Sequence, residues 1–235
     1  IVSSCIYILN DILDFERDKQ HPIKKFIKPI AANKISIKQA YSMLFSFIII
    51  LFFLIYFQPN LYFSVLFYIT INLGYNLIFK NIPYFEFILL SSGYVIRIDA
   101  GSKILSIDSS ILMLSSTLFL ALFFLILKRL SEINNFEVAD NYPTRHVLKF
   151  YKKNYLTKLS LFSILSLVST LFIYAFTKNI SLIISIFLVF IFLVHYFIIV
   201  RKNNSGENPI SLILKNKILL TLSILIMFSS LLIYF

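Results

Sequence analysis

Regularly spaced acidic residues occur in one hydrophilic stretch near the start of the chain. Residues 10–29 read NDILDFERDKQHPIKKFIKP and contain the pattern N-D-x-x-D-x-x-x-D over Asn10, Asp11, Asp14 and Asp18. If a helix continues past Asn10, a rotation of about 100° per residue places the three aspartates within roughly 60° of one another. Carboxylates sharing one face repel each other unless a cation lies among them. The spacing predicts a Mg²⁺ site, because Mg²⁺ is commonly shared between one or two carboxylates and substrate phosphates.

Basic residues follow these acids directly. The segment H-P-x-K-K begins at His21 and supplies Lys24 and Lys25, and Lys28 comes shortly after. The simpler interpretation is a solvent-exposed helix end at which the acidic residues balance the charge of the lysines. The ordered spacing favours a diphosphate site instead, with carboxylates for a metal and then cations for phosphate oxygens.

The elements that position these residues are apolar helices. The chain has 235 residues, of which 59% are hydrophobic, and a mean hydropathy of +0.85. This composition predicts an all-α polytopic membrane protein. The predicted spans are 37–57, 61–79, 84–102, 109–128, 157–177, 180–200 and 215–235, together with a shorter element at 1–9. Because the chain opens inside an apolar segment with Ile1, we expect that its natural N-terminus is missing.

Local signals predict some of the helix boundaries. Ser36 and Gln39 are spaced as a capping box at the start of the 37–57 span. Asp108 is expected to be the N-cap of the following 109–128 span.

The basic residues predict the orientation of the protein in the membrane. The formal net charge is +11. The Lys and Arg residues are concentrated in a few polar segments, namely 10–38, position 80, 128–158 and 201–217. The exceptions are Arg97, Lys103 and Lys178. By the positive-inside rule, these segments face the cytoplasm. The basicity is explained by topology, so we expect no nucleic-acid partner.

The aspartate-rich stretch resembles the first aspartate-rich motif of the UbiA superfamily of intramembrane transferases. With His21-Pro22, Lys24 and Pro29-Ile30-Ala31 it is most similar to the branch that includes decaprenyl-phosphate phosphoribosyltransferase. The segments YNLIFKNIPYFEFILLSSGYVIRIDAG, FLALFFLILKRLSE, RHVLKFYKKNYL and GENPISLILKNKILL resemble that branch in the same order. The resemblance implies one transferase domain over 1–235, in a bundle of nine transmembrane helices whose first helix is missing here.

The same resemblance implies roles for residues in later segments. Lys128, Arg129 and Glu132 match a Lys-Arg-x-x-Glu pattern, which implies that Glu132 serves a second metal or its water shell and that the two basic residues contact phosphate oxygens. Tyr75 and Lys80 resemble a tyrosine and a lysine near the donor diphosphate. An interfacial flank is the alternative for all five.

Arg97 lies inside a predicted span, where ionisable residues are costly and usually paired or directed into a cavity. It is either a substrate-binding residue or a side chain that reaches the interface by snorkelling. His195 is interpreted as a structural residue.

The expected function is an enzymatic, Mg²⁺-dependent transfer of a 5-phosphoribosyl group from phosphoribosyl diphosphate to a polyprenyl phosphate. Asp11, Asp14, Asp18 and Glu132 are the expected catalytic residues, at the cytoplasmic face of a bacterial-type plasma membrane. The isoprenoid product would serve the cell envelope, and the oligomeric state is left open. The first alternative is a prenyltransferase of the same fold that uses a prenyl diphosphate and an aromatic or lipid acceptor. A membrane transporter is a more distant alternative.

Overall fold

The computed structural model describes residues 1–20, 24–138 and 146–232, and these ranges contain helices and no strand. The prediction of an all-α fold is confirmed. The helices are α1 (Val2–Leu13), α2 (Phe15–Gln20), α3 (Lys24–Ile27), α4 (Ile37–Phe57), α5 (Tyr62–Leu77), α6 (Phe85–Ile104), α7 (Ile111–Val138), α8 (Lys153–Lys178), α9 (Ile183–Asn203), α10 (Pro209–Lys215) and α11 (Lys217–Leu232). Four short 3₁₀ helices, Pro59–Leu61, Phe79–Asn81, His146–Phe150 and Ile180–Leu182, connect some of them.

Several helices have the length and apolar composition to cross a membrane. In the described ranges these are Ile37–Phe57, Ile111–Asn135, Lys153–Lys178 and Ile180–Asn203, and the bent pair of α10 and α11 makes a fifth if it is one span. A span needs roughly 20 residues, because the hydrocarbon layer is about 30 Å thick. The chain is therefore a polytopic membrane protein.

The predicted spans coincide with helices, but some boundaries differ. The capping box at Ser36 is confirmed, because its side chain accepts a hydrogen bond from the Gln39 backbone and the Gln39 side chain accepts one from the Ser36 backbone. The cap predicted at Asp108 is wrong. The Ser110 hydroxyl accepts the hydrogen bond from Met113 N–H at 3.1 Å, and α7 begins at Ile111.

The first helix is interrupted where the sequence predicted continuity. Instead of running on past Asn10 to Asp18, it stops at Leu13 and α2 begins at Phe15, although Asp14 N–H still donates to Asn10 O at 2.9 Å. The last predicted span, 215–235, corresponds to α11, and a 98° bend separates it from α10, which was not predicted. Asn216 lies at this bend and caps the second helix by accepting a hydrogen bond from Leu219 N–H at 3.0 Å.

The core of the bundle lies along α7. This helix packs against α6 and α8, α9 packs against α8 and α11, α5 packs against α6, and α1 packs against α4 and α5. Buried side chains of α7 and α9, among them Phe123, Ile126, Leu127, Leu193 and Tyr196, fill the space between them. The outer faces of the helices present apolar side chains, as expected where lipid is the solvent.

The polar segments collect at one end of this bundle. We call it the charged end, and it contains the segments 10–20, 24–36, 79–86, 128–135, 146–152 and 204–208, which are joined by ion pairs and hydrogen bonds. The opposite end contains the turns 58–62, 103–110 and 178–183. At that end Lys103 pairs with Asp99 at 2.7 Å and donates a hydrogen bond to Ser64.

Candidate active site

Two of the three aspartates share one lysine. Lys28 Nζ lies 2.7 Å from Asp11 Oδ1 and 2.7 Å from Asp18 Oδ2. Burial alone would lower the pKa of the Lys28 ammonium, but its pairing with both carboxylates outweighs burial and raises that pKa above its ordinary value. Lys28 therefore stays protonated and neutralises part of the acidic cluster.

Asp14 faces different cations because it occupies the break between α1 and α2. Its Oδ2 lies 2.6 Å from Arg17 Nη2, and its Oδ1 lies 3.3 Å from Lys80 Nζ. Asp14 and Asp18 are both buried. The contact with Lys80 joins the acidic stretch to the segment between α5 and α6, although the two residues are 66 positions apart.

The carboxylate oxygens of Asp11 and Asp18 are ligands of the type that a hard divalent cation prefers. The described ranges contain no group of three His, Cys, Asp or Glu side chains arranged to hold a metal ion together. Asp11 and Asp18 nevertheless converge on one position, and the buried Asp18 Oδ2 has an ion-pair contact with Lys28 but no aligned hydrogen bond from a described residue. Two carboxylates with substrate phosphates and water are a common ligand set for Mg²⁺.

A second ionic group joins α6 to α7. Glu86, which is fully buried, accepts hydrogen bonds from Arg129 Nε at 2.6 Å and Nη2 at 2.8 Å, and Arg129 Nη1 also donates to Glu132. This bidentate pairing fixes the plane of the guanidinium, and charge assistance makes it stronger than a pair of neutral hydrogen bonds. Arg129 is thus oriented by Glu86 before any ligand binds.

Tyr151 holds Glu86 from the other side. Its hydroxyl donates to Glu86 Oε1 at 2.7 Å and accepts a hydrogen bond from the Tyr84 N–H at 3.3 Å. Burial, followed by the charge of Glu86, raises the pKa of the Tyr151 hydroxyl, so the group remains a donor. Tyr84 has a φ of +65°, which is strained for an aromatic residue, and its ring packs edge-on against those of Tyr151 and Tyr155.

A cavity of about 250 Å³ extends from this group into the bundle. It brings together predicted site residues from four helices, namely Asn10, Tyr75, Arg97, Lys128 and Arg129. Tyr7, Tyr68, Asn72 and Tyr94 add hydroxyl and amide groups to the same wall. Three cations and several hydrogen-bond donors in one enclosed space are suited to anionic ligands such as phosphates.

The remaining predicted residues fall at different places. Lys25 is exposed, with its ammonium 4.9 Å from the centre of the Phe26 ring. Lys24 begins α3, and its side chain lies outside what the structure describes, as does all of His21. The assignment of roles to all these residues stays a prediction.

Sequence reasoning missed Glu86 and Tyr151. A single glutamate in the first turn of a span is typical of an interfacial flank, and only its contact with Arg129, 43 positions away, shows that it is buried and paired. The available signal was weak: Glu86 is an acid inside the predicted span 84–102, where an ionisable residue is costly unless it is paired.

A family model described as the UbiA prenyltransferase family matches residues 1–232. The chain belongs to the UbiA prenyltransferase family. The resemblance seen in the aspartate-rich stretch is confirmed. Enzymes of the family generally use a divalent metal.

Curated relatives of this UbiA-family chain share one name. A protein of Corynebacterium glutamicum named decaprenyl-phosphate phosphoribosyltransferase is 36% identical over 134 residues, which are 56% of this chain and 40% of that protein. Proteins with the same name from Mycolicibacterium smegmatis and Mycobacterium tuberculosis are 30% and 29% identical over 183 and 180 residues, 76% of this chain in each case and 56% and 59% of the relatives. The chain spans about half the length of these relatives.

Proposed function

We propose that this chain carries the transferase domain of a polyprenyl-phosphate phosphoribosyltransferase. The donor would be phosphoribosyl diphosphate and the acceptor a decaprenyl-type phosphate. The observation that carries the proposal is the placement of a metal-type carboxylate pair, Asp11 and Asp18, at the charged end beside a cavity lined by Lys128, Arg129 and Arg97. The name shared by the curated relatives supports the choice of donor and acceptor.

The reaction requires little proton chemistry. An oxygen of the lipid phosphate forms a bond to the anomeric carbon of the ribose, and the bond from that carbon to the diphosphate oxygen breaks, with the electron pair leaving on the diphosphate. The attacking phosphate is already an anion, so it needs no general base. This fits the described part of the cavity, whose lining contains no His or Cys side chain.

The charged side chains of the site would neutralise the negative charges of the two reactants. Asp11 and Asp18 would hold Mg²⁺, which when bound would neutralise the donor diphosphate and assist its departure. Lys80, Lys128 and Arg129 would contact phosphate oxygens, and Glu86 would keep Arg129 oriented towards them. Positive charge that develops on the ribose is then balanced by fixed groups that need no rearrangement.

The orientation is part of the proposal. The charged end would face the cytoplasm, because it carries most of the Lys and Arg residues and because a water-soluble donor must enter there.

The first test is a product assay. Membranes or purified protein receive labelled phosphoribosyl diphosphate and decaprenyl phosphate with Mg²⁺, and we expect a lipid-linked phosphoribose in the mass spectrum. Product from a prenyl diphosphate and an aromatic acceptor, with none from phosphoribosyl diphosphate, would instead assign a prenyltransferase. Substrate flux into liposomes without turnover would assign a transporter.

A matched pair of variants tests whether formation of the product depends on the carboxylates. Asp18→Asn should lower the rate about 100-fold or more, because it removes a charge that holds the metal. Glu16→Gln changes an exposed acid in the same stretch and should leave the rate unchanged. Equal rates in the wild type and Asp18→Asn would remove Asp18 from the site.

A further inference from the structure

Arg97 is a cation in the cavity wall that has no acidic partner among the described residues. Its Nε donates one long hydrogen bond to Gly93 O at 3.4 Å, and its guanidinium carbon lies 4.4 Å from the centre of the Tyr94 ring and 5.8 Å from that of Tyr68. The nearby acid Asp99 is already paired with Lys103. The two rings hold the guanidinium in place and leave its terminal nitrogens available to a ligand.

Arg97 is partly buried in the second half of α6, between the two ends of the bundle. It follows Glu86 by three turns of α6, which places it about 16 Å further along the helix axis, away from the charged end. A charged side chain at such a depth is costly unless it meets an opposite charge or water, so it marks a functional position by default. An anion in the cavity would satisfy it.

The same arginine lines a second, larger space. A groove of about 730 Å³ opens beside Arg97 towards the opposite end, along Ile98, Gly101 and Leu105 of α6, and Asp108 and Lys178 also line it. Met113 and Tyr174 line this groove and also the adjoining apolar groove of about 360 Å³ between α7, α8 and α9. Arg97 therefore lies where the polar cavity meets a groove that is mostly apolar.

We propose that Arg97 binds the phosphate of the lipid acceptor, and that the isoprenoid chain leaves along the groove that begins at Gly101. This inference rests on the proposed function and adds the placement of the acceptor. A ligand with an anionic head and a long apolar chain matches a lone guanidinium beside an apolar groove. The donor diphosphate is assigned instead to the carboxylates and to Arg129 at the other side of the same cavity.

The cavity then brings the two reactants together from different sides. The donor enters at the charged end, between the carboxylates and Lys128, whereas the acceptor phosphate enters from the apolar side at Arg97. Arg97, Lys128 and Arg129 line one cavity, so the acceptor phosphate and the donor ribose can meet in it.

The test measures acceptor and donor dependence separately in protein reconstituted in lipid. In Arg97→Gln we expect the KM for decaprenyl phosphate to rise about tenfold or more, because a charge-assisted contact is lost, while the KM for phosphoribosyl diphosphate stays within about twofold. Arg201→Gln is the matched control. Arg201 also stacks on an aromatic ring, that of Phe197, but does not line the cavity.

A second variant tests the groove without touching the cation. A Cβ at Gly101 meets no atom within 4 Å, so Gly101→Phe can fold and project into the groove. We expect it to raise the KM for decaprenyl phosphate and to leave the KM for geranyl phosphate unchanged, because the shorter chain does not extend along the groove.

The outcomes separate this inference from the proposed function. Lipid-linked phosphoribose from the wild type, with an unchanged acceptor KM in Arg97→Gln or with a rise in the donor KM alone, overturns the placement of the acceptor and leaves the proposed function standing. Wild-type protein that makes no such product overturns both, before any variant is compared.

Discussion

Lys28 stands between Asp11 and Asp18, where a metal ion would also place its charge. An ammonium and a divalent cation cannot both occupy the 2.7 Å contacts with these two carboxylates. If Asp11 and Asp18 hold the metal as proposed, the lysine stabilises the site when no metal is bound and competes with the metal when one is present. Lys28 would then set the metal affinity of the site.

Replacing this lysine should make stability depend on metal. In Lys28→Met the two carboxylates lose their shared cation, so we expect the free energy of unfolding to fall by about 2 kcal/mol in the presence of a chelator. Mg²⁺ should restore most of the loss and should bind more tightly than to the wild type. Thermal unfolding at several Mg²⁺ concentrations measures both effects.

Lys34→Met is the control for that experiment, because Lys34 is exposed in the same segment and has no ion pair within the described ranges. The expected response to Mg²⁺ in this variant equals that of the wild type. An identical gain in melting temperature for Lys28→Met and the wild type would mean that the metal binds elsewhere.

At the scale of single residues, the sequence indicated which acidic residues matter better than it indicated which basic residues they pair with. The spacing within one short segment predicted that Asp11, Asp14 and Asp18 share one face, but only Asp11 and Asp18 share a cation, while Asp14 pairs with Arg17 and Lys80. The lysine that each acid meets depends on how distant segments pack, and the pairing of Asp14 with Lys80 across 66 positions has no local signal. Glu86 was missed for the same reason.

Among the elements, α7 is the one to which the charged end is attached. Near its end, Asn135 Nδ2 donates to Glu207 Oε1 at 2.6 Å and Asn134 Nδ2 donates to Asn204 Oδ1 at 2.7 Å. The Gly206 N–H donates to Ser131 Oγ at 2.9 Å, also on α7. These contacts fasten the segment between α9 and α10 to the helix that carries Arg129.

A methyl group at position 206 should loosen this attachment. A Cβ there would lie 2.6 Å from Ser131 Oγ and 2.9 Å from both Leu127 O and Val200 Cγ1, so the backbone must move. We expect Gly206→Ala to lower the free energy of unfolding by about 2 kcal/mol, as overpacking of a buried contact does. The melting temperature in detergent measures the change.

Gly101→Ala provides the comparison, since its Cβ meets nothing within 4 Å and alanine is the better helix former inside α6. Its melting temperature should equal or exceed that of the wild type. If both alanine variants melt alike, the 204–208 segment is not held as closely as these distances require.

Helix interiors were easier to predict than their ends. Apolar runs that are as long as a membrane is thick produce helices such as α4, α8 and α9 whatever their neighbours are. The break at Asp14 and the bend at Asn216 depend on tertiary contacts and on capping side chains. The extension of α7 past Lys128 to Val138 was missed because a basic pair resembles a helix end, whereas Arg129 is buried against Glu86.

For the whole molecule, the distribution of basic residues predicts one orientation. Cys5 is the chain's single cysteine, so a Cys5→Ala background allows one exposed cysteine to be introduced at a time. Asn60→Cys marks the opposite end and Lys34→Cys marks the charged end. In intact cells a membrane-impermeant thiol reagent should label Asn60→Cys and leave Lys34→Cys unlabelled.

Permeabilised cells control for reactivity, because both cysteines should then be labelled. Labelling of Lys34→Cys in intact cells would place the charged end outside and reverse the proposed side of donor entry.

The length of α7 sets the position of Arg129 relative to the membrane surface. Arg129 lies about 27 Å along the helix from Ile111, close to the roughly 30 Å thickness of a typical hydrocarbon layer. A thicker bilayer would submerge the guanidinium, and a thinner one would lift it into the headgroups, at a cost in tilt or lipid deformation. On the proposed function, we expect the rate of transfer to depend on the acyl-chain length of the host lipid, with an optimum set by the number of residues between Ile111 and Arg129.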